Sequence, residues 1–372
     1  ACFGGGCVEL RERRQPCPVL EDLDRGKARA NRNEIELVLE GRDETGRQWQ
    51  RIVHRGDDTV ELRNGACICF GPEGRADWQG TETDTWSDDG RVQNLARDLE
   101  ISGDGHIRFE HGSQPSVIRY VALDLRPPVE DGKYPLHFHH VGDGARGTGV
   151  EGVVVTDSPN RACVVHASHG VTIKDTIAKN IAGSAYWWDA PSFQDDDQSD
   201  NSNDVIYDHA LADGVTPLPG DTGHRLAAFT LGSGTGNEVI DSVAMNVEGG
   251  KDSSGFMWPE RHHQQPQTWR FVNNTAHDNS ANGIFVWQNN DQEHIVTGFR
   301  GYANGSSDID HGAYKNRYDY RDVEVDRVEV HALGWSIDGG SIGTVSVHSH
   351  TLEGGPVRFS NVSVDEVVLD NA

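Results

Sequence analysis

Four segments of this chain end on a small polar residue at a fixed interval. "VTIKDTIAKN" closes at Asn180, "DVIYDHALAD" at Asp213, "EVIDSVAMN" at Asn246 and "RFVNNTAHDN" at Asn279, so the closing positions lie 33 residues apart three times running. A shorter echo, "TGFRGYAN", closes at Asn304. A repeat of this length implies units that bury their faces by stacking on one another. Within each unit β-branched residues and Gly turns dominate and helical periodicity is missing, which argues against two-helix repeats of similar length. Short strands, polar turns and a recurring Asn fit the coils of a right-handed parallel β-helix, with Asn amides stacked at equivalent turns. The fold class read from the sequence is therefore all-β.

The rest of the chain fits that reading. Among 372 residues there are 43 Gly, and only 35% are hydrophobic, a balance that suits many short strands better than a helical bundle. Residues 30–110 read as a β-rich N-terminal segment, with alternating runs such as "EIELVLEG", "RIVHRG" and "ACICFG". The acidic stretch "ADWQGTETDTWSDDG" reads as a loop between them. The β-helix is expected over 111–372, its last seventy or so residues forming the final coils. Residues 1–29 form a head that begins "ACFGGGCVEL", which reads as a processed or trimmed N-terminus. There a disulfide among Cys2, Cys7 and Cys17 can staple a segment with little core. Cys67 and Cys69, two apart on one strand, are expected to pack inward, and with no CxxC pair a cysteine zinc site is not expected.

Charge narrows the partners. With 33 Lys and Arg against 59 Asp and Glu, the formal charge is −26, which repels nucleic acid and anionic membranes. No apolar run has the length of a membrane span. The expectation is a secreted, extracellular protein.

The histidines are the chemical signal. In "GKYPLHFHHVGDG", residues 132–144, alternation puts Leu136 and Phe138 on one strand face and His137 and His139 on the other. In "RACVVHASHG" the outward pair is Val164 and His166, and in "SAYWWDA" it is Trp187 and Asp189. If the three strands stack in register, His139, His166 and Asp189 form a column with His137 beside it. Three imidazoles and a carboxylate suit Zn²⁺, Mn²⁺ or Fe²⁺, whereas Ca²⁺ prefers an all-oxygen shell. The competing reading is unliganded polar histidines on a carbohydrate-binding face. His140 has inward parity and is expected to be buried. His169 follows a turn, as a base or merely a turn residue. His262 and His263 read as solvated, and "HSH" at His348 and His350 resembles the first cluster without visible partners.

Three stretches carry a family resemblance: "NLARDLEISGDGHIRFE", "GKYPLHFHHVGDG" and "SPNRACVVHASHGVTIKDTIAKNIAGSAYWWD". They resemble the β-helix segment of proteins bearing a domain named for its eight glycines, a group that includes CEMIP-like hyaluronan-depolymerising proteins and fibrocystin-like proteins. The match falls on Tyr134, Pro135, His137, Phe138, His139, Gly142 and Asp143. It returns at Asn160, Arg161, Cys163, Val164, His166, His169, Gly170 and Val171, with Asp189 at the position of an acidic residue. The chain departs from the pattern at Lys133, at the extra Ala162 and in the long link "FQDDDQSDNSND". The resemblance implies a β-helix whose N-terminal segment is a remnant of the glycine-rich domain, a histidine-rich site and a polysaccharide substrate such as hyaluronan.

On that reading His137, His139, His166 and Asp189 are the metal ligands. Asp143 and His169 are the acid–base candidates, Arg161 pairs a substrate carboxylate, and Trp187, Trp258 and Trp287 offer stacking surfaces for sugars. The first functional hypothesis is an extracellular metal-dependent glycan depolymerase, hydrolase or lyase. The alternative is a non-catalytic carbohydrate-binding or adhesion module with a structural metal. Redox chemistry at the histidines is a third, weaker idea with no substrate clue behind it.

Overall fold

The computed structural model describes residues 99–110, 115–187, 201–258, 268–286, 293–311, 317–331, 335–348 and 357–370, and before them the backbone of seven short strands between Cys2 and Gln79. The chain divides into two compact units, Ala1–Glu100 with Tyr120–Ala122, and Ile101–Arg119 with Leu123–Ala372. In the first, Arg25–Asn31, Glu34–Arg42 and Gln48–Gly56 form an antiparallel sheet. Cys67–Phe70 pairs with Ala76–Gln79, setting Ile68 opposite Trp78. The start of the acidic stretch is therefore a strand and not a loop, because a four-residue alternation is enough for a hairpin arm even in acidic surroundings. The disulfide of the head and the packing of Cys67 and Cys69 fall outside the described side chains.

The second unit is a parallel β-helix with three strands per coil, each strand pairing with the one three further along the chain. One sheet runs from Val117–Arg119 through Thr148–Glu151, Val171–Lys174, Ile206–Asp208 and Asn237–Ile240. The next contains Val154–Thr156, Ile177–Ala182, Leu211–Thr216 and Val243–Val247. The third starts at Ile107–Glu110 and continues through Leu136–Gly142, Cys163–Ser168, Tyr186–Trp187, Ala227–Thr230, Ser254–Trp258, Asn282–Val286 and Ser307–His311. The parallel stack thus begins before residue 111. Near the C-terminus Arg317–Val330 and Ser336–His348 each run through a whole coil as one continuous strand.

Coil length is not uniform. Lys174 pairs with Asp208, then Ile240, Val272, Thr297, Arg321 and Asp338 follow in register, which gives steps of 34, 32, 32, 25, 24 and 17 residues. The 33-residue spacing is therefore not one equivalent position. Lys179 pairs with Asp213 and Ile181 with Val215, so Asn180 lies opposite Gly214 and not Asp213. Gly214 in turn lies opposite Asn246, and Asn246 opposite Asp278, while Asn279 is one residue later. The repeat revealed the coils, but the closing residues sit at three adjacent places of the same turn.

What the turns share is backbone conformation. Asp157, Asn180, Gly214, Asn246, Asp278 and Ala303 all have φ between 54° and 75°. A second row, at the corner between the first two sheets, holds Tyr120, Gly152, Asp175, His209, Asp241, Asn273, Gly298, Asp322, Gly339 and Asn361, again all left-handed. Asn, Asp and Gly tolerate this region best, which explains their periodic recurrence. The buried Asn side chains fasten coil to coil. Asn237 Nδ2 donates to Ser202 O at 3.0 Å and its Oδ1 accepts from Val205 N at 2.9 Å; Asn274 does the same with Val239 O and Ser242 N. A direct amide ladder occurs once among these, Asn279 Nδ2 to Asn304 Oδ1 at 2.8 Å.

Inward residues stack rung on rung. Tyr186, Phe229 and Phe256 form a continuous pile with centroids 4.5 and 4.8 Å apart, matching the spacing of neighbouring strands. Phe109 lies over Phe138 in the same manner. The third sheet carries the histidines on its outward row.

Candidate metal centre

Register decides whether the histidines meet, and it brings three of them together. Leu136 pairs with Cys163, His137 with Val164, Phe138 with Val165 and His139 with His166. His139 and His166 therefore sit on adjacent rungs with their Nδ1 atoms 3.2 Å apart, one ring donating to the other. His137, two residues before His139, joins them from the side, and the donor atoms of His137, His139 and His166 all lie within 4.8 Å of one another. The His137 and His166 rings are parallel at 6.3 Å. His137 Nδ1 donates to Gly132 O at 3.0 Å, which in the neutral ring leaves the lone pair on Nε2. This is how a backbone carbonyl commonly orients a metal-binding imidazole.

Burial differs from expectation. His137 is fully buried and His166 is 5% exposed, so only His139 is partly open. Tyr134 packs edge-on against His137 at 4.9 Å and against Trp187 at 6.0 Å. His140, expected inside, is exposed. Its φ of 49° breaks the strand alternation, and its ring turns out against His139 and His166, 4.5 and 4.4 Å away. Sequence parity misses this fourth imidazole because parity holds only while the backbone stays extended. Asp189 and Trp287 lie outside the described residues, as do His262, His263 and His350.

The other candidates separate from this cluster in different ways. Arg161 spreads its guanidinium over the Trp187 ring at 3.7 Å and reaches Asp131 at 3.7 Å. Trp187 is thus half-buried under an arginine, and its face is already occupied. Trp258 is 1% exposed and wedged among Phe271, Tyr318 and His294, so it offers no sugar-stacking surface. It fell to the core because inward and outward aromatics look alike in "SSGFMW". Asp143 starts a single 3₁₀ turn directly after the histidine strand and is bound by Arg146 at 2.8 Å, which also holds Asp204 at 2.6 Å. His169 Nδ1 accepts the Asn203 backbone N–H at 3.2 Å, a coil-to-coil tie rather than a contact with the three histidines. Burial pushes the Cys163 thiol up to about 12, so it is an inert core group.

Two further donor convergences exist among the described residues: Asp208, His209 and Asp241, and Glu329, His331 and His348. The first lies at the tight corner, where Lys174 and His209 both bond the Asp208 carboxylate and hold it down to about 2 despite its burial. It is an ion-pair cluster. The second was invisible as a pair from the local "HSH" motif, although "VEVH" and "VSVH" recur 17 residues apart, which is the length of that coil.

Fold and cluster together define the class: a three-sided parallel β-helix with a histidine cluster on one face near its N-terminal end. Residues 103–192, the coils that build the cluster, match the family model described as CEMIP beta-helix. Human fibrocystin-L is 24% identical over 282 residues, 68% of this chain but 6% of its own length. The cell surface hyaluronidase of Danio rerio is 22% identical over 221 residues, covering 49% of this chain and 16% of that protein. The cell migration-inducing and hyaluronan-binding protein of Mus musculus is 28% identical over 221 residues, with the same two coverages. The chain therefore spans a small part of the curated relatives it matches. Among solved structures, the A-module of mannuronan C-5 epimerase AlgE4 from Azotobacter vinelandii aligns at 12% identity and a TM-score of 0.33, covering 72% of this chain and 87% of that one.

Proposed function

We propose that this chain is an extracellular, glycan-acting β-helix whose histidine cluster holds a divalent transition-metal ion and which shortens a uronic-acid-containing polysaccharide. The observation that carries the reading is the register of His139 on His166 with His137 beside them. Three imidazole donors on adjacent rungs, one oriented by a backbone carbonyl, form a borderline-soft set that fits Zn²⁺, Mn²⁺ or Fe²⁺. A cation bound there supplies Lewis acidity toward a carboxylate or glycosidic oxygen and lowers the pKa of a water. The names of two relatives, a hyaluronidase and a hyaluronan-binding protein, direct attention to hyaluronan among uronic polymers.

The protein's own groups have definable tasks. His139 and His140 form the open edge of the cluster and are placed to meet a ligand first. Arg161, kept flat by Trp187, presents a guanidinium suited to a uronate carboxylate once it leaves Asp131. Asp143 serves proton transfer only after release from Arg146, and His169 only after release from Asn203.

A second reading, a binding module with a structural metal, is favoured by one observation: His137 and His166 are almost wholly buried. Incubation with hyaluronan, other uronic polymers and neutral polysaccharides, with and without chelator, separates the two. Shortening of a uronic polymer that chelation abolishes and added metal restores is the expected result. Retention on the polymer with its length unchanged overturns the enzymatic reading in favour of the module.

A further inference from the structure

The outward row of the third sheet that carries the first histidine cluster holds another set of donors near its C-terminal end. Val164 pairs with Trp187, the Tyr186–Trp187 strand with Ala227–Thr230, Thr230 with Met257, Met257 with Phe285, Phe285 with Asp310 and Asp310 with Glu329. These six steps of about 4.8 Å put the two clusters about 29 Å apart, too far to share an ion.

Here the coils are short. Val330 pairs with Val347, so His331 and His348 fall on adjacent rungs, and their rings stack at 4.4 Å with an interplanar angle of 9°. Glu329, two residues before His331, projects from the same face, and its carboxylate bonds Nε2 of His348. Asp310 lies one rung below Glu329, with its Oδ1 3.6 Å from His331 Nε2. The donor atoms of Glu329, His331 and His348 lie within 4.8 Å of one another, and all three side chains are half-buried.

We propose that Glu329, His331 and His348 bind a divalent transition-metal ion, with Asp310 flanking it as a further carboxylate. Two imidazoles and a carboxylate form a borderline donor set with room for solvent or a fourth ligand. Calcium would instead take an oxygen shell. The chain's charge of −26 adds a field that favours cation uptake. Binding at this place would clamp the two single-strand coils, Arg317–Val330 and Ser336–His348, to each other.

Cobalt(II) titration of the chelator-stripped full chain, read by visible absorption and by bound metal after desalting, tests the site. Wild type is expected to bind about two ions per chain. A His331→Ala, His348→Ala variant is expected to bind one fewer, and Glu329→Gln, the milder change, to weaken the same ion at least about tenfold. A His139→Ala, His166→Ala variant keeps this ion. Uptake unchanged by both C-terminal variants overturns the proposal, as does complete loss of uptake in the His139, His166 variant. Loss of one ion only in the C-terminal variants, with the N-terminal variant unchanged, upholds this site while removing the first.

Discussion

A histidine on a β-helix takes its chemistry from where its rung position points. His139 and His331 face outward and meet other donors, while His294 and His311 face inward, 1% and 0% exposed. His294 lies flat on Tyr318 at 4.5 Å. Burial lowers the pKa of its imidazole to about 3, whereas in the unfolded chain it titrates near ~6.5. The folded-state pKa is depressed, so between about 6.5 and about 3 the unfolded chain binds a proton that the folded chain refuses. Stability from this group is complete above about pH 6.5 and is lost as pH falls toward 3. In urea melts at pH 7, 5.5 and 4.5, His294→Phe should flatten the decline of wild type by up to about 1.4 kcal/mol per pH unit. An unchanged slope would show that His294 titrates normally. Which histidines face inward was legible for His137 and His139 only as parity. It failed at His140, where a left-handed backbone reversed the side chain, and it did not foresee that outward-parity His137 is fully covered.

At the scale of elements, the tight corner between the first and second sheets governs the stacking. In ten successive coils one residue there is left-handed, from Tyr120 to Asn361, and the chain re-enters the next strand within one or two residues. Asn273 is typical, with φ 55° and its N–H bonded to Thr297 O at 2.8 Å. Asn273→Val should cost about 1–2 kcal/mol, because a β-branched side chain is strained in this conformation. Asn273→Gly should cost little; equal losses for both would show that the Asn side chain, and not the backbone, matters. The coils themselves were legible because left-handed turns favour Asn, Asp or Gly, and the residues that close the 33-residue spacing sit at or beside such a position at the other turn. Their true lengths were not, since steps of 34 and 32 residues average to an apparent 33. The 17-residue coil that aligns His331 with His348 is readable in hindsight from "VEVH" and "VSVH", but only once the coil is known to have shortened.

At the scale of the molecule, one sheet of the stack carries donor clusters near both ends, while Thr230, Met257 and Phe285 on the same row between them are buried. The β-helix and its histidine-rich coils were readable because strand alternation and register are properties of sequence order. The aromatic surface was not, because "SSGFMW" gives Trp258 no mark of being interior. Whether the N-terminal histidines hold a metal is decided by elemental analysis of metal bound per chain in wild type and in His139→Ala, His166→Ala purified in parallel. The variant is expected to carry about one ion per chain less than wild type. Equal metal content in the two proteins would show that these histidines hold no metal.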